Sequence, residues 1–168
     1  HTTALRMFIF RTTLTQLFTA ALTKELTLLL TLPRTMAPIV VPGGKPTMFF
    51  AVLMFGEEGA EIMYPNPGFP IYESVIKYSG ATPVPIALNE ENGFAFDADT
   101  VLSQITERTR LIIINSPHNP TGTVLSHDDL TTLQSLLRDT EVLVLADEVY
   151  EHLVFDGRRH ASVLQFDE

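Results

Sequence analysis

No cysteine occurs among the 168 residues, which excludes disulfides, thiolate metal ligands and a cysteine nucleophile and leaves the redox compartment without a marker. Positive charge is also scarce: 11 Lys and Arg stand against 20 Asp and Glu, a formal net charge of −9. The shortage is uneven. Residues 1–40 hold four basic residues against the single acid Glu25, a net +3, while 41–168 hold seven against nineteen, a net −12. An acidic body lacks the basic face that nucleic-acid phosphates require, so no nucleic acid is expected as a partner. A long apolar run is missing too. A membrane span needs about 20 mostly apolar residues, and Arg6, Arg11, Lys24 and Glu25 interrupt the Leu-rich stretch 5–32; no membrane is expected. What is present is a chain 45% hydrophobic with mixed charges, the composition of a globular protein and long enough, as one domain or a piece of a larger one, to bury a core.

Residues 1–38 form a Thr/Leu-rich segment unlike the rest. Leu5, Phe8, Ile9, Leu17, Phe18, Ala21 and Leu22 fall at rough helical spacing, so an amphipathic helix is the expectation, although the β-branched threonines oppose it. A basic, hydroxyl-rich, acid-poor end also fits an organellar transit segment; otherwise the cytoplasm is the expected compartment.

From residue 39 a regular alternation begins and defines a second unit, 39–168. IVV (39–41) is a short apolar run ending at Pro42-Gly43-Gly44. Residues 46–56 read as a helix opened by Pro46, whose missing N–H costs nothing in a first turn. EIMYP (61–65) reads as a strand, 70–79 as a helix closed by Gly80, and TPVPI (82–86) as a strand whose prolines suit an edge or an irregular position. After a loop at 87–96, Asp97 to Ile105 reads as a modest helix. LIIIN (111–115) and VLVLA (142–146) are apolar runs of the kind buried on both faces of a parallel sheet. Between them Ser126 is placed to cap a helix over 127–138, with Asp128 and Asp129 in its first turn. The fold class is therefore α/β, three layers with helices on both faces of a mostly parallel sheet.

In such sheets ligands bind outside the carboxyl ends of the strands, which directs attention to Pro42–Lys45, Asn66–Phe69, Asn115–Gly122 and Asp147–Tyr150. Asp147 follows VLVLA directly. A carboxylate there can hold a ring nitrogen in its cationic form, because the ion pair favours the charged state; a helix cap is the plainer alternative. Metal binding is not expected, since His118, His127, His152 and His160 show no ligand spacing with it. Tyr150 places a phenol three residues on. Asn119, in the stiff turn SPHNPTG, can donate to a phenolate oxygen or serve simply as a turn residue. Gly43-Gly44-Lys45 before a helix start offers bare N–H groups to a phosphate, yet it is no nucleotide P-loop, because Ile39 and Pro46 occupy two of that motif's required positions. Phe69 in PGFP can stack on a flat ligand or pack in the core.

In their order and spacing, strand-GGK-helix, NPGFPIY, NSPHNPTG and a buried strand ending in DEVY resemble the class I/II aminotransferases, pyridoxal-phosphate enzymes of fold type I, in their aspartate aminotransferase-like subgroup. The resemblance covers about residues 39–157 and implies an incomplete large domain of that fold. It implies that Gly43, Gly44 and Lys45 meet the phosphate of pyridoxal 5′-phosphate and that Phe69 stacks on its ring. Asn119 and Tyr150 would bond its phenolic oxygen, with Asn119 also near the substrate carboxylate, and Asp147 would pair with its ring nitrogen. The expected partners are an amino acid and a 2-oxo acid, and the complete family member is expected to be a homodimer.

The family's Schiff-base lysine lies on a Ser-x-x-Lys-like segment well beyond the DEVY strand. The lysines here are Lys24, Lys45 and Lys77, none at a matching position, and the substrate-gripping arginine is not matched either. No catalytic residue is therefore assigned, and the 168 residues alone are expected to lack substantial transamination. A lyase or synthase of the same fold, or a non-catalytic fragment or interaction module, remains the alternative.

Overall fold

A computed structural model describes residues 7–10 and 41–166. Its elements run β1 (Met7–Phe10), α1 (Gly44–Phe55), β2 (Glu61–Asn66), α2 (Ile71–Ser79), β3 (Thr82–Ala87), α3 (Ala98–Gln104), β4 (Thr109–Asn115), α4 (His127–Leu137) and β5 (Leu143–Asp147), with short 3₁₀ turns at Glu90–Asn92 and Val163–Phe166. The five strands pair in the order β1-β5-β4-β2-β3, every pair parallel. Pro83 and Pro85 sit in β3 at one edge, where a missing N–H leaves no ladder bond unmade.

Strand periodicity divides the core. Leu111 and Ile113 of β4 and Leu145 of β5 point to one face, packing with Val52 of α1 and Tyr72, Val75 and Ile76 of α2. Ile112 and Ile114 of β4, with Val144 and Ala146 of β5, point to the other, against Val101 of α3 and Leu130, Leu133 and Leu137 of α4. Successive side chains of a strand face opposite ways, so a run apolar at every position needs helices on both sides. That is the three-layer arrangement expected for these runs.

The helix boundaries follow local chemistry. Ser126 and Asp129 complete a reciprocal capping box at the start of α4, and Gly80 closes α2 with φ +90, a conformation that costs glycine nothing. α1 begins at Gly44, two residues ahead of the expected Pro46.

One expectation is overturned at the N-terminal end. The helical pattern drawn through Phe8 and Ile9 gives way to strand β1, paired with β5 in the register Met7↔Val144 to Phe10↔Asp147. MFIF is a short apolar run that suits a strand as well as a helix, and β5 needs a neighbour for its outer row of N–H and C=O groups. The remainder of the helix expected in 1–38, and residues 39 and 40 of the IVV strand, lie outside the described residues; Val41 carries no strand structure.

Behind the strand ends, Glu148 is 3% exposed. It accepts hydrogen bonds from the Ser162 hydroxyl and the Val163 N–H, both at 2.9 Å, and lies 3.3 Å from His160 Nε2. These contacts hold the turn carrying Val163 and Phe166 against the α4 side of the core. Burial alone would raise the Glu148 carboxyl, but His160, the Val163 N–H and the Ser162 hydroxyl outweigh it and hold the group below the usual glutamate range. A carboxyl lowered on folding stabilises above its unfolded pKa, and that stability is lost as pH falls through the folded value. Glu148→Gln is therefore expected to cost about 1–3 kcal/mol at pH 7 in urea denaturation, with the difference from wild type narrowing below about pH 4.

Candidate functional site

The chain reverses its direction of travel across the sheet beside β2: β3 is added on one side, and the chain then crosses back to lay β4 on the other. Open α/β sheets place their ligand crevice at such a point. A cleft of about 230 Å³ opens there. Six of the seven residues singled out from the sequence line it: Gly44, Lys45, Phe69, Asn119, Asp147 and Tyr150. The seventh, Gly43, is not in the wall; it is the N-cap of α1, with φ +85, which an L side chain rarely adopts.

The first turn of α1 contributes charge without a charged atom. No side chain caps its N-terminus and no acidic residue lies in the turn. With Gly44 and Lys45 in the cleft wall, orphan N–H groups and the positive end of the helix dipole border the cleft, the arrangement that attracts an anion. Lys45 Nζ also stands 5.9 Å from the centre of the Phe69 ring.

Phe69 is presented by the turn after β2. A Cβ on Gly68 would stand 2.1 Å from the Pro65 carbonyl oxygen, so this close turn admits only glycine. The Phe69 ring meets the Tyr72 ring edge-on, centroids 5.8 Å apart at 81°, and is partly buried against the α1–α2 side of the core.

Asp147 ends β5. Its Oδ2 accepts from the Tyr72 hydroxyl at 2.8 Å and its Oδ1 from the Val149 N–H at 3.3 Å. Burial pushes the carboxyl above the usual aspartate range, aided by the neighbouring Glu148 charge; the bonds from Tyr72 and Val149 oppose the rise without cancelling it. Burial, and then the Asp147 charge, drive the Tyr72 phenol well above its ordinary value, so Tyr72 remains a neutral donor.

Asn115, the last residue of β4, pairs in register with Asp147. Its Nδ2 donates to the Asp147 carbonyl at 2.8 Å, while its Oδ1 accepts from the Asn119 N–H at 2.8 Å. One buried amide thus ties the end of β5 to the loop carrying Asn119. His118, pushed toward the neutral form by burial, braces the same loop through Nδ1 to the Thr121 hydroxyl at 2.7 Å. Tyr150 borders the cleft and is 36% exposed.

Tyr72 and Asn115 were not singled out as site residues from the sequence. The signal for Asn115 was available, since it ends its buried strand as Asp147 ends the neighbouring one. Of the lysines, Lys45 lines the cleft, Lys77 pairs with Glu73 along α2, and Lys24 lies outside the described residues. Folding brings His160 beside Glu148 and Glu151, with possible ligand atoms within 4.8 Å of one another. No helix of the described residues is long and apolar enough to cross a membrane.

The model of the family "Aminotransferase class I and II" matches residues 9–168. A probable N-succinyldiaminopimelate aminotransferase DapC of Mycobacterium tuberculosis is 42% identical over 130 residues, covering 77% of this chain and 33% of that protein. An aspartate aminotransferase of Pyrococcus abyssi is 34% identical over 129 residues, again 77% and 33%. Among solved structures, N-succinyldiaminopimelate aminotransferase from Mycobacterium tuberculosis superposes with a TM-score of 0.65 at 41% identity, over 72% of this chain and 32% of that one. Aspartate aminotransferase from Thermus thermophilus with maleate gives 0.69 at 32% identity, over 73% and 32%. The chain spans about a third of the length of these relatives.

A carboxyl raised on folding costs stability once it ionises: the folded state is favoured at low pH and loses that advantage as pH rises through the folded pKa. Asp147→Asn is therefore expected to melt a few degrees above wild type at pH 7, a gap that closes on acidification toward pH 4. Thermal denaturation across that range, without added ligand, measures it.

Proposed function

The chain belongs to the class I and II aminotransferase family, and from that membership we propose that residues 41–166 form the pyridoxal 5′-phosphate-binding part of an aminotransferase. Family members use this cofactor. The complete protein is proposed to act as a homodimer that moves an amino group between an amino acid and a 2-oxo acid.

The observation that carries the proposal is the pairing of unlike electrostatic features in one cleft. An uncapped, acid-free helix start attracts an anion, and a half-buried carboxylate attracts a cation. A phosphate and a protonatable ring nitrogen on one flat molecule match both, and Phe69 offers that molecule an aromatic wall. The donor set fits.

Bound, the cofactor supplies an electron sink for the carbanion formed at the amino acid's α-carbon. The protein's part is to bind and orient. Gly44 and Lys45 hold the phosphate through backbone N–H groups and the α1 dipole, with Gly43 giving the turn its shape. Asp147 keeps the ring nitrogen protonated, because a nearby carboxylate favours the cationic form. Asn119 and Tyr150 are placed to donate to the phenolic oxygen, which lowers the energy of its anionic form. Asn115 sets the spacing between Asn119 and Asp147. Lys45, the lysine that lines the cleft, is assigned to the phosphate end rather than to covalent attachment, so the 168 residues by themselves are proposed to bind the cofactor and not to turn over.

Titration of the purified chain with pyridoxal 5′-phosphate, followed by absorbance, is expected to give saturable binding that Asp147→Ala weakens at least tenfold and Asn119→Ala about ten- to a hundredfold, the worth of losing a hydrogen bond to a charged group. Unsaturable binding, or wild-type affinity in Asp147→Ala, contradicts the assignment. Amino-group transfer by the loaded chain contradicts its inactivity alone.

A further inference from the structure

We propose that Tyr72 is the positioning residue for Asp147: its buried hydroxyl holds the carboxylate in place and charged, so that the carboxylate can pair with a protonated ring nitrogen in the cleft. The inference rests on the cofactor assignment above.

Tyr72 is fully buried and sits in the first turn of α2. Its backbone N–H donates to the Phe69 carbonyl at 3.1 Å and its ring is held edge-on by Phe69. Its hydroxyl crosses to a residue 75 positions away and donates to Asp147 Oδ2 at 2.8 Å. A phenylalanine would fill nearly the same volume of core; the hydroxyl therefore adds little to packing, and its contribution is made to the carboxylate.

That contribution has a definite sign. The charge of Asp147 is set by its burial, by Glu148 beside it in the chain, by Tyr72 from α2 and by the Val149 N–H; Lys45 from α1 and Tyr150 from the following turn face the same cleft, with Asn115 and Asn119 polar but uncharged. Burial and the Glu148 charge both favour the protonated acid, which cannot hold a cation. Against them stand the Tyr72 hydroxyl and the longer Val149 N–H bond at 3.3 Å. Tyr72 is the stronger of these two donors by distance, and it is also the one that fixes where Oδ2 lies. Because Tyr72 packs against Phe69, one residue couples the ring-stacking wall to the charge that faces the ring nitrogen.

The test uses the intact chain with pyridoxal 5′-phosphate labelled with ¹⁵N at the ring nitrogen. In wild type the ¹⁵N shift is expected to report a protonated nitrogen between pH 6 and 8. In Tyr72→Phe the affinity at pH 7.5 is expected to fall about tenfold and the ¹⁵N shift to move toward the unprotonated value, with the thermal midpoint of the unliganded chain changed little. The loss is expected to be non-additive with Asp147→Asn, since both changes act on one bond. A wild-type ¹⁵N shift and affinity in Tyr72→Phe overturn the inference and leave the cofactor assignment standing, as does full additivity. Absence of binding by wild type overturns the cofactor assignment itself. A second measurement covers a variant that does not fold: in wild type labelled with 3-fluorotyrosine, the Tyr72 ¹⁹F resonance is expected to shift on cofactor addition and with Asp147→Asn. A resonance indifferent to both overturns the inference.

Discussion

The parallel pairing of β4 with β5 is the constraint on which the rest depends. Both strands are apolar at almost every interior position and buried on both faces. Neither can tolerate an unpaired backbone or a one-residue slip, because a slip would exchange the side chains of the two core faces. With the register fixed, Asn115 and Asp147 must stand side by side where the burial ends. There the Asn115 amide bonds the Asp147 carbonyl and the Asn119 N–H. The spacing of the polar residues in the cleft is thus inherited from the packing of residues that never touch it.

Much of this was legible in the chain because it is local. Two uninterrupted apolar runs imply buried parallel strands, prolines imply the edge, and Ser126 three residues ahead of Asp129 implies a helix start. The polar residues that follow a strand in an α/β sheet fall at its carboxyl end, which is why Asp147, Asn119, Phe69 and the Gly44-Lys45 turn could be named and are found around one cleft. What was not legible depends on contacts between distant residues. Tyr72 looks like one more apolar-face residue of an amphipathic helix, and its role exists only because α2 packs its first turn over the end of β5. Asn115 looks like the end of a strand until its partner 32 residues away is known. β1 is illegible for a further reason: four apolar residues carry too little periodicity to separate a strand from a helix, and the deciding factor is a vacant row of β5 hydrogen-bonding groups.

Asp147 and Glu148 are adjacent acids with opposite fates, and strand geometry is the reason. Leaving β5, Asp147 is directed to the α2 face and Glu148 to the α4 face. On its side Asp147 meets one hydroxyl and one long N–H bond, too little to offset burial, so its carboxyl is raised and its charge is a standing cost to the fold. On the other side Glu148 meets a hydroxyl, an N–H and an imidazole, enough to lower its carboxyl and make the charge a net stabiliser. A carboxylate so fully engaged within the chain is a structural element, with less to offer a visitor. The under-satisfied one has something left to give, and a cation arriving in the cleft recovers the energy that its burial costs. The same reasoning sets a limit on Tyr72. One hydroxyl offsets only part of what burial costs Asp147, whereas a second strong donor would turn it into another Glu148, stabilising the chain and weakening its hold on a ring nitrogen.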